Sequence, residues 1–153
     1  MSRLELKVPP DVVWVLVAGL VWLVSRITPH PEVPSSVRVG AAVVVTAVGV
    51  WAIVAARISL EQANTTWSPM TPGQSTSLVS SGVYAFSRNP MYLGMLLVLI
   101  GWAVLLASAA ALALSGVFVL YLDRFQIGPE ERTLTAHLGQ EFLDYRHRVR
   151  RWL

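Results

Sequence analysis

Apolar stretches separated by short polar segments set the organisation of the chain. Val39–Ala56 holds 18 residues without a charge, bounded by Arg38 and Arg57, the length of one transmembrane helix. The run before it, Val12–Val24, is shorter, and its helix is expected to extend over about residues 10–27. Pro9-Pro10 suit a helix start, and Pro29, Pro31 and Pro34 stop it from continuing. A second span over about 38–57 then runs antiparallel to the first. Met91–Leu122 is different: its 32 residues carry no charge. A straight helix of that length would run roughly 48 Å against a hydrocarbon core of ~30 Å. A break is expected at Ala107-Ser108-Ala109, giving a tight hairpin of spans 91–106 and 108–122, with Gly94, Gly101 and Gly116 permitting close helix contact.

Two polar regions remain. Residues 58–90 are rich in Gly, Pro, Ser and Thr and read as a long loop, a kind often functional. Its apolar residues, Trp67, Met70, Leu78, Val79, Val83, Tyr84 and Phe86, are expected to pack on the membrane surface. After Asp123-Arg124, Pro129 followed by Glu130 and Glu131 fits helix initiation. Leu134, Leu138, Phe142, Tyr145, Val149 and Trp152 recur at spacings of three and four, which predicts one amphipathic helix over 129–152. The fold class is therefore all-α integral membrane: about four transmembrane helices plus a C-terminal amphipathic helix, in a single domain.

Composition agrees. The chain has 153 residues, 54% hydrophobic and 14% charged, with a mean hydropathy of +0.56. No cysteine is present, which excludes disulfides and a thiol nucleophile. With His30, His137 and His147 as the only histidines, no metal centre is expected. The first apolar run follows Asp11 and lacks a small-residue cleavage site, so it reads as a retained span. In a four-span topology Arg3, Lys7, Arg57, Arg88, Arg124, Arg132, Arg146, Arg148, Arg150 and Arg151 share one side, and Arg26 and Arg38 hold the other. Ten against two places both termini in the cytoplasm, in a bacterial-type inner membrane. The net charge of +3 reads as orientation and contact with membrane lipids, not nucleic acid.

The polar groups cluster in Gly82–Gly94 and Glu130–Arg151. Arg88, Asn89 and the start of the third span present a guanidinium, an amide and backbone N–H groups suited to a carboxylate or phosphate. The same residues also suit a membrane interface and a turn. Glu130-Glu131 can bind ribose hydroxyls or a cation, or can complement a helix dipole. The tail arginines read as lipid-facing charge, and His137 and His147 as exposed helix residues.

Taken together, the two segments resemble the isoprenylcysteine carboxyl methyltransferase family of integral membrane enzymes, related to phospholipid N-methyltransferases. The family pattern LVxxGxYxxxRHPxYxG, a hydrophobic hairpin, EE(R)xL and a tyrosine-rich basic end correspond here to LVSSGVYAFSRNPMYLG (Leu78 to Gly94) and EERTLTAHLGQEFLDYRHRVRRWL (Glu130 to Leu153). The resemblance covers roughly the last half of the chain. Asn89 stands where most members have histidine, which puts proton transfer at that position in doubt, and Phe142 replaces a common tyrosine.

The resemblance implies S-adenosylmethionine as cofactor, held by Tyr84, Arg88, Asn89, Pro90, Tyr92, Gly94, Glu130 and Glu131. It implies catalytic roles for Arg88 and Glu131, and for Arg148, which would orient an anionic acceptor. The implied reaction is methyl transfer to a lipophilic acceptor, a prenylcysteine-like carboxylate or a lipid headgroup, at the cytoplasmic interface. If the acceptor were an amine, Glu130 or Glu131 would be the base candidate. An NADPH-dependent membrane reductase of related architecture and a non-catalytic membrane adaptor are the alternatives, and cofactor binding separates the three.

Overall fold

The computed structural model describes residues 6–65 and 77–153. Trp67 and Met70, expected on the membrane surface, lie outside them. Six α-helices follow in order: α1 Pro10–Ile27, α2 Ser35–Gln62, α3 Pro90–Leu105, α4 Ala109–Leu122, α5 Gly128–Leu138 and α6 Gln140–Arg148. A 3-10 turn at Gly82–Ala85 precedes α3, and a π-helical turn at Asp123–Ile127 joins α4 to α5. No strand occurs among the described residues.

Three helices are long and apolar enough to cross a membrane: α1, α2 and the continuous helix that α4 begins; α3 is a shorter apolar helix. The apolar part of that continuous helix ends at Leu122, and the charged residues begin at Asp123. Val15, Leu16, Val43, Val44 and Trp51 are exposed, as expected where the neighbouring solvent is lipid. The protein is an all-α integral membrane protein. α2 is longer than the 38–57 span expected, so the following loop begins at Ala63. Its extra turn is polar and carries an exposed Arg57–Glu61 ion pair at 2.7 Å.

Small residues decide how these helices pack. A methyl group on Gly94 would meet the Gly49 carbonyl oxygen at 2.5 Å. α2 and α3 therefore cross backbone to backbone. Gly101 repeats this against Ala42 and Thr46. Nothing lies within 4 Å of a Cβ built on Gly116, so that glycine, expected at a contact, makes none. α1 packs on α4 and α3 through Val13, Val17, Val21, Leu99, Phe118 and Leu122. The indole N–H of Trp14 donates to the Met95 carbonyl at 2.9 Å.

The hairpin between α3 and α4 turns at Ala107, whose φ is +49°, and Ser108 caps α4 by accepting from the Ala111 N–H at 3.2 Å. At the opposite end of the bundle each described chain end is tied to another segment. The Leu6 N–H donates to the Phe125 carbonyl at 3.1 Å, and the Arg88 N–H to the Arg150 carbonyl at 3.0 Å.

The C-terminal region departs from the single helix expected over 129–152. Gly139, with φ +58°, ends α5 and starts α6, and α6 itself ends at Arg148. Left-handed backbone at a glycine stops one helix without strain and lets the next leave in a new direction. The apolar stripe still faces inward: Phe142 and Tyr145 are buried. Residues 149–152 then run back as a strap across Ser87–Asn89.

Candidate active site

The polar cluster stands where the start of α3, the π-helical turn, α5 and the strap converge. Pro90 occupies the first turn of α3 and keeps Asn89 before it out of the helical conformation, at φ −130° and ψ 55°. The 3-10 turn ahead of it buries Tyr84. Its backbone carbonyl accepts from the Tyr145 hydroxyl at 2.7 Å, which pins α6 to the α3 entry. Burial pushes the Tyr84 hydroxyl well above its ordinary pKa, and that of Tyr145 up to about 12.

Arg88 is the hub. Its Nη2 donates to Glu131 Oε1 at 2.7 Å, with the two side chains only 10% and 9% exposed. Its Nη1 donates to the Arg146 and Val149 carbonyls at 2.8 and 3.0 Å. Its Nε is buried without a hydrogen-bond partner. Glu131 is held from the other side by Arg151, whose Nη2 lies 2.6 Å from Oε2 and whose Nε lies 3.2 Å from Oε1. Arg151 Nη1 also reaches Asp123 Oδ1 at 3.2 Å, which accepts as well from the Trp152 indole. Asn89 Nδ2 and Ser87 Oγ donate to the Arg151 carbonyl at 3.0 and 3.2 Å. The strap is thus fastened from both sides.

Glu130 sits in different company. Its Oε1 accepts from the Tyr92 hydroxyl at 2.7 Å and from Gln126 Nε2 at 2.8 Å. Burial pushes its carboxyl up to about 7, reinforced by the neighbouring Glu131 charge and opposed by those two donors. For Glu131 burial also acts upward. The Arg151 hydrogen bond and the Arg88 and Arg151 charges outweigh it and hold the carboxyl below its ordinary value.

Tyr84, Arg88, Asn89, Pro90, Tyr92, Glu130 and Glu131 are therefore gathered at one end of the bundle. Gly94 is not part of this cluster; it is the contact with α2. Arg148, expected to orient an acceptor, is exposed at the end of α6. Arg151 holds the inward place instead. A chain that turns back at Val149 presents a different arginine from a helix that continues. Asp123, Gln126, Arg151 and Trp152 are additional members of the cluster. Gln126 has a sequence signal, a lone amide between Phe125 and Ile127. It is buried because the wider π-helical turn rotates it inward. Nothing in the run of tail arginines marks Arg151.

A buried guanidinium N–H with no partner, beside two carboxylates and two tyrosines, fits a cofactor carrying a carboxylate, an amine and hydroxyls. Among the described residues no group of acidic and histidine side chains could hold a metal ion.

The sequence profile of the phospholipid methyltransferase family matches residues 37–141, which takes in α2, the hairpin and every cluster member except the strap and Tyr145. A Haemophilus influenzae protein described as uncharacterized is 40% identical over 63 residues, 41% of this chain and 100% of that protein. The protein-S-isoprenylcysteine O-methyltransferase of Mus musculus is 37% identical over 73 residues, 48% of this chain and 26% of the mouse protein. That of Saccharomyces cerevisiae is 36% identical over 75 residues, 47% of this chain and 30% of the yeast protein. The chain thus spans under a third of the length of those two enzymes. No solved structure is a significant match. With the profile covering most of the chain, and the paired motifs meeting in space, the chain belongs to the phospholipid methyltransferase family.

Proposed function

We propose that this protein transfers a methyl group from S-adenosylmethionine to a lipophilic acceptor at the cytoplasmic face of the membrane. The observation that carries the reading is the convergence of two distant segments. Arg88 meets Glu131, and Tyr92 meets Glu130, both at 2.7 Å. The cluster closes the end of the bundle that holds nine of the eleven described Lys and Arg side chains, the end the positive-inside rule assigns to the cytoplasm.

S-adenosylmethionine, when bound, supplies a methyl carbon already activated by its sulfonium. The protein's task is alignment and exclusion of water. Arg88 Nε offers a donor to an anionic group. Glu131, kept ionised by two guanidinium groups, fixes Arg88 and the strap. Glu130 uses Oε1 for Tyr92 and Gln126, and Oε2 is the atom at which it takes a proton from an amine headgroup. A group with a pKa near the working pH is suited to that transfer. A prenylcysteine-like carboxylate would attack without a base and leave Glu130 a positioning role. Asn89, bonded to the Arg151 carbonyl, positions the strap and moves no proton.

Calorimetric titration of the purified protein with S-adenosylmethionine, and separately with NADPH, tests the reading. Binding of the first alone is expected. Binding of NADPH alone would support a reductase, and binding of neither a membrane adaptor. The adaptor reading draws on the clasp itself, because Arg88 and Glu131 already serve as fasteners.

A further inference from the structure

The far end of the bundle carries an unrelated feature. From Pro31 to Ala41 every residue is exposed except Arg38. An arginine near a membrane surface ordinarily extends toward water. Arg38 turns inward, and its Nε is buried with no hydrogen-bond partner. It lines a cavity of about 240 Å³ between the start of α2 and the α3–α4 turn, together with Val37, Ala41, Val104, Ala107 and Leu112. The polar groups nearby are committed elsewhere. Ser108 Oγ lies 3.0 Å from Thr28 Oγ1, and the Ala107 carbonyl lies 3.3 Å from His30 Nδ1. Glu32, the one acidic residue at this end, is exposed and forms no ion pair with Arg38 among the described residues. Arg26, the other cation of this end, stacks on Trp22 at 5.8 Å.

A guanidinium with one N–H buried and unpartnered beside an apolar cleft calls for an anion. Its place in the first turn of α2, at the positive end of the helix dipole, strengthens that demand. We propose that this cleft binds an anionic phospholipid of the outer leaflet, its phosphate on Arg38 and the start of an acyl chain along Ala41, Val104 and Leu112. Apolar walls around the cation favour a lipid over free phosphate. The site lies at the opposite end of the bundle from Arg88 and Glu131 and is independent of the methyl-transfer reading.

Native mass spectrometry of the detergent-purified full chain, titrated with phosphatidylglycerol, tests it. Wild type is expected to retain one more lipid than Arg38→Gln, with at least tenfold tighter binding of that lipid. Arg26→Gln is expected to match wild type. Ala41→Phe, which fills the cleft and keeps the cation, should lose the same lipid. Diacylglycerol, which lacks the phosphate, should not bind there, and inorganic phosphate should not displace the lipid. Equal retention by Arg38→Gln and wild type would overturn the site. Retention of diacylglycerol, or displacement by inorganic phosphate at equal concentration, would overturn the phospholipid assignment.

Discussion

Glu130 and Glu131 are adjacent on α5, yet Glu130 accepts from the Tyr92 hydroxyl at 2.7 Å while Glu131 is clamped between Arg88 and Arg151. A single step along the helix thus separates a carboxyl that holds its proton near neutrality from one that does not. The difference arises from partners: neutral donors on one side, guanidinium groups on the other.

The first expectation concerns pH. The Glu130 carboxyl rises from 4.5 unfolded to about 7 folded. The folded state therefore binds the proton more tightly. Ionisation opposes folding progressively as pH rises from 4.5 through 7, by about 3 kcal/mol at most. Thermal unfolding in detergent at pH 5 and pH 8 should show lower stability at pH 8. Glu130→Gln should flatten that difference, and an unchanged pH profile in the variant would assign it to other groups.

Arg151 and Arg148 should behave differently although they stand three residues apart. Arg151→Gln removes one of two cations from buried Glu131 and leaves Asp123 with the Trp152 indole. Breaking a buried pair typically costs about 3–5 kcal/mol, and a lower value is expected here because Arg88 remains. Arg148→Gln, at an exposed position, should cost under about 0.5 kcal/mol. Denaturation of both variants in the same nanodiscs measures the contrast. Equal losses would contradict the strap geometry.

The glycines offer a test of the helix crossing. Gly94→Ala places a methyl group 2.5 Å from the Gly49 carbonyl oxygen and 2.6 Å from Ile53, and overpacking of this kind costs about 1–3 kcal/mol. Gly116→Ala meets nothing within 4 Å and should be neutral or slightly stabilising through helix propensity. Circular dichroism melts distinguish the two.

Hydropathy made the membrane architecture legible, because uncharged runs between arginines are long and leave few alternatives. The break at Ala107 followed from length alone. The pairing of Arg88 with Glu131 was suggested by two motifs, whose distance in sequence says nothing of their contact in space. Periodicity failed at Gly139: Leu134, Leu138, Phe142 and Tyr145 keep helical spacing through a kink that spacing cannot register. For the same reason Arg148 looked better placed than Arg151. Charge is visible in a sequence, but the direction in which a strap turns is not. Gly94 and Gly116 look alike in an apolar run, and only the neighbour across the interface separates a contact from an open face.

The most direct test of the central claim is transfer of a labelled methyl group. The protein, reconstituted with a total lipid extract and S-adenosylmethionine labelled in its methyl group, is expected to produce labelled lipid. Arg88→Ala and Glu131→Gln, shown by circular dichroism to remain folded, should reduce that transfer at least tenfold and weaken cofactor binding. A wild-type protein that neither binds S-adenosylmethionine nor labels any lipid would contradict the account, as would folded Arg88→Ala and Glu131→Gln proteins that transfer methyl groups at the wild-type rate.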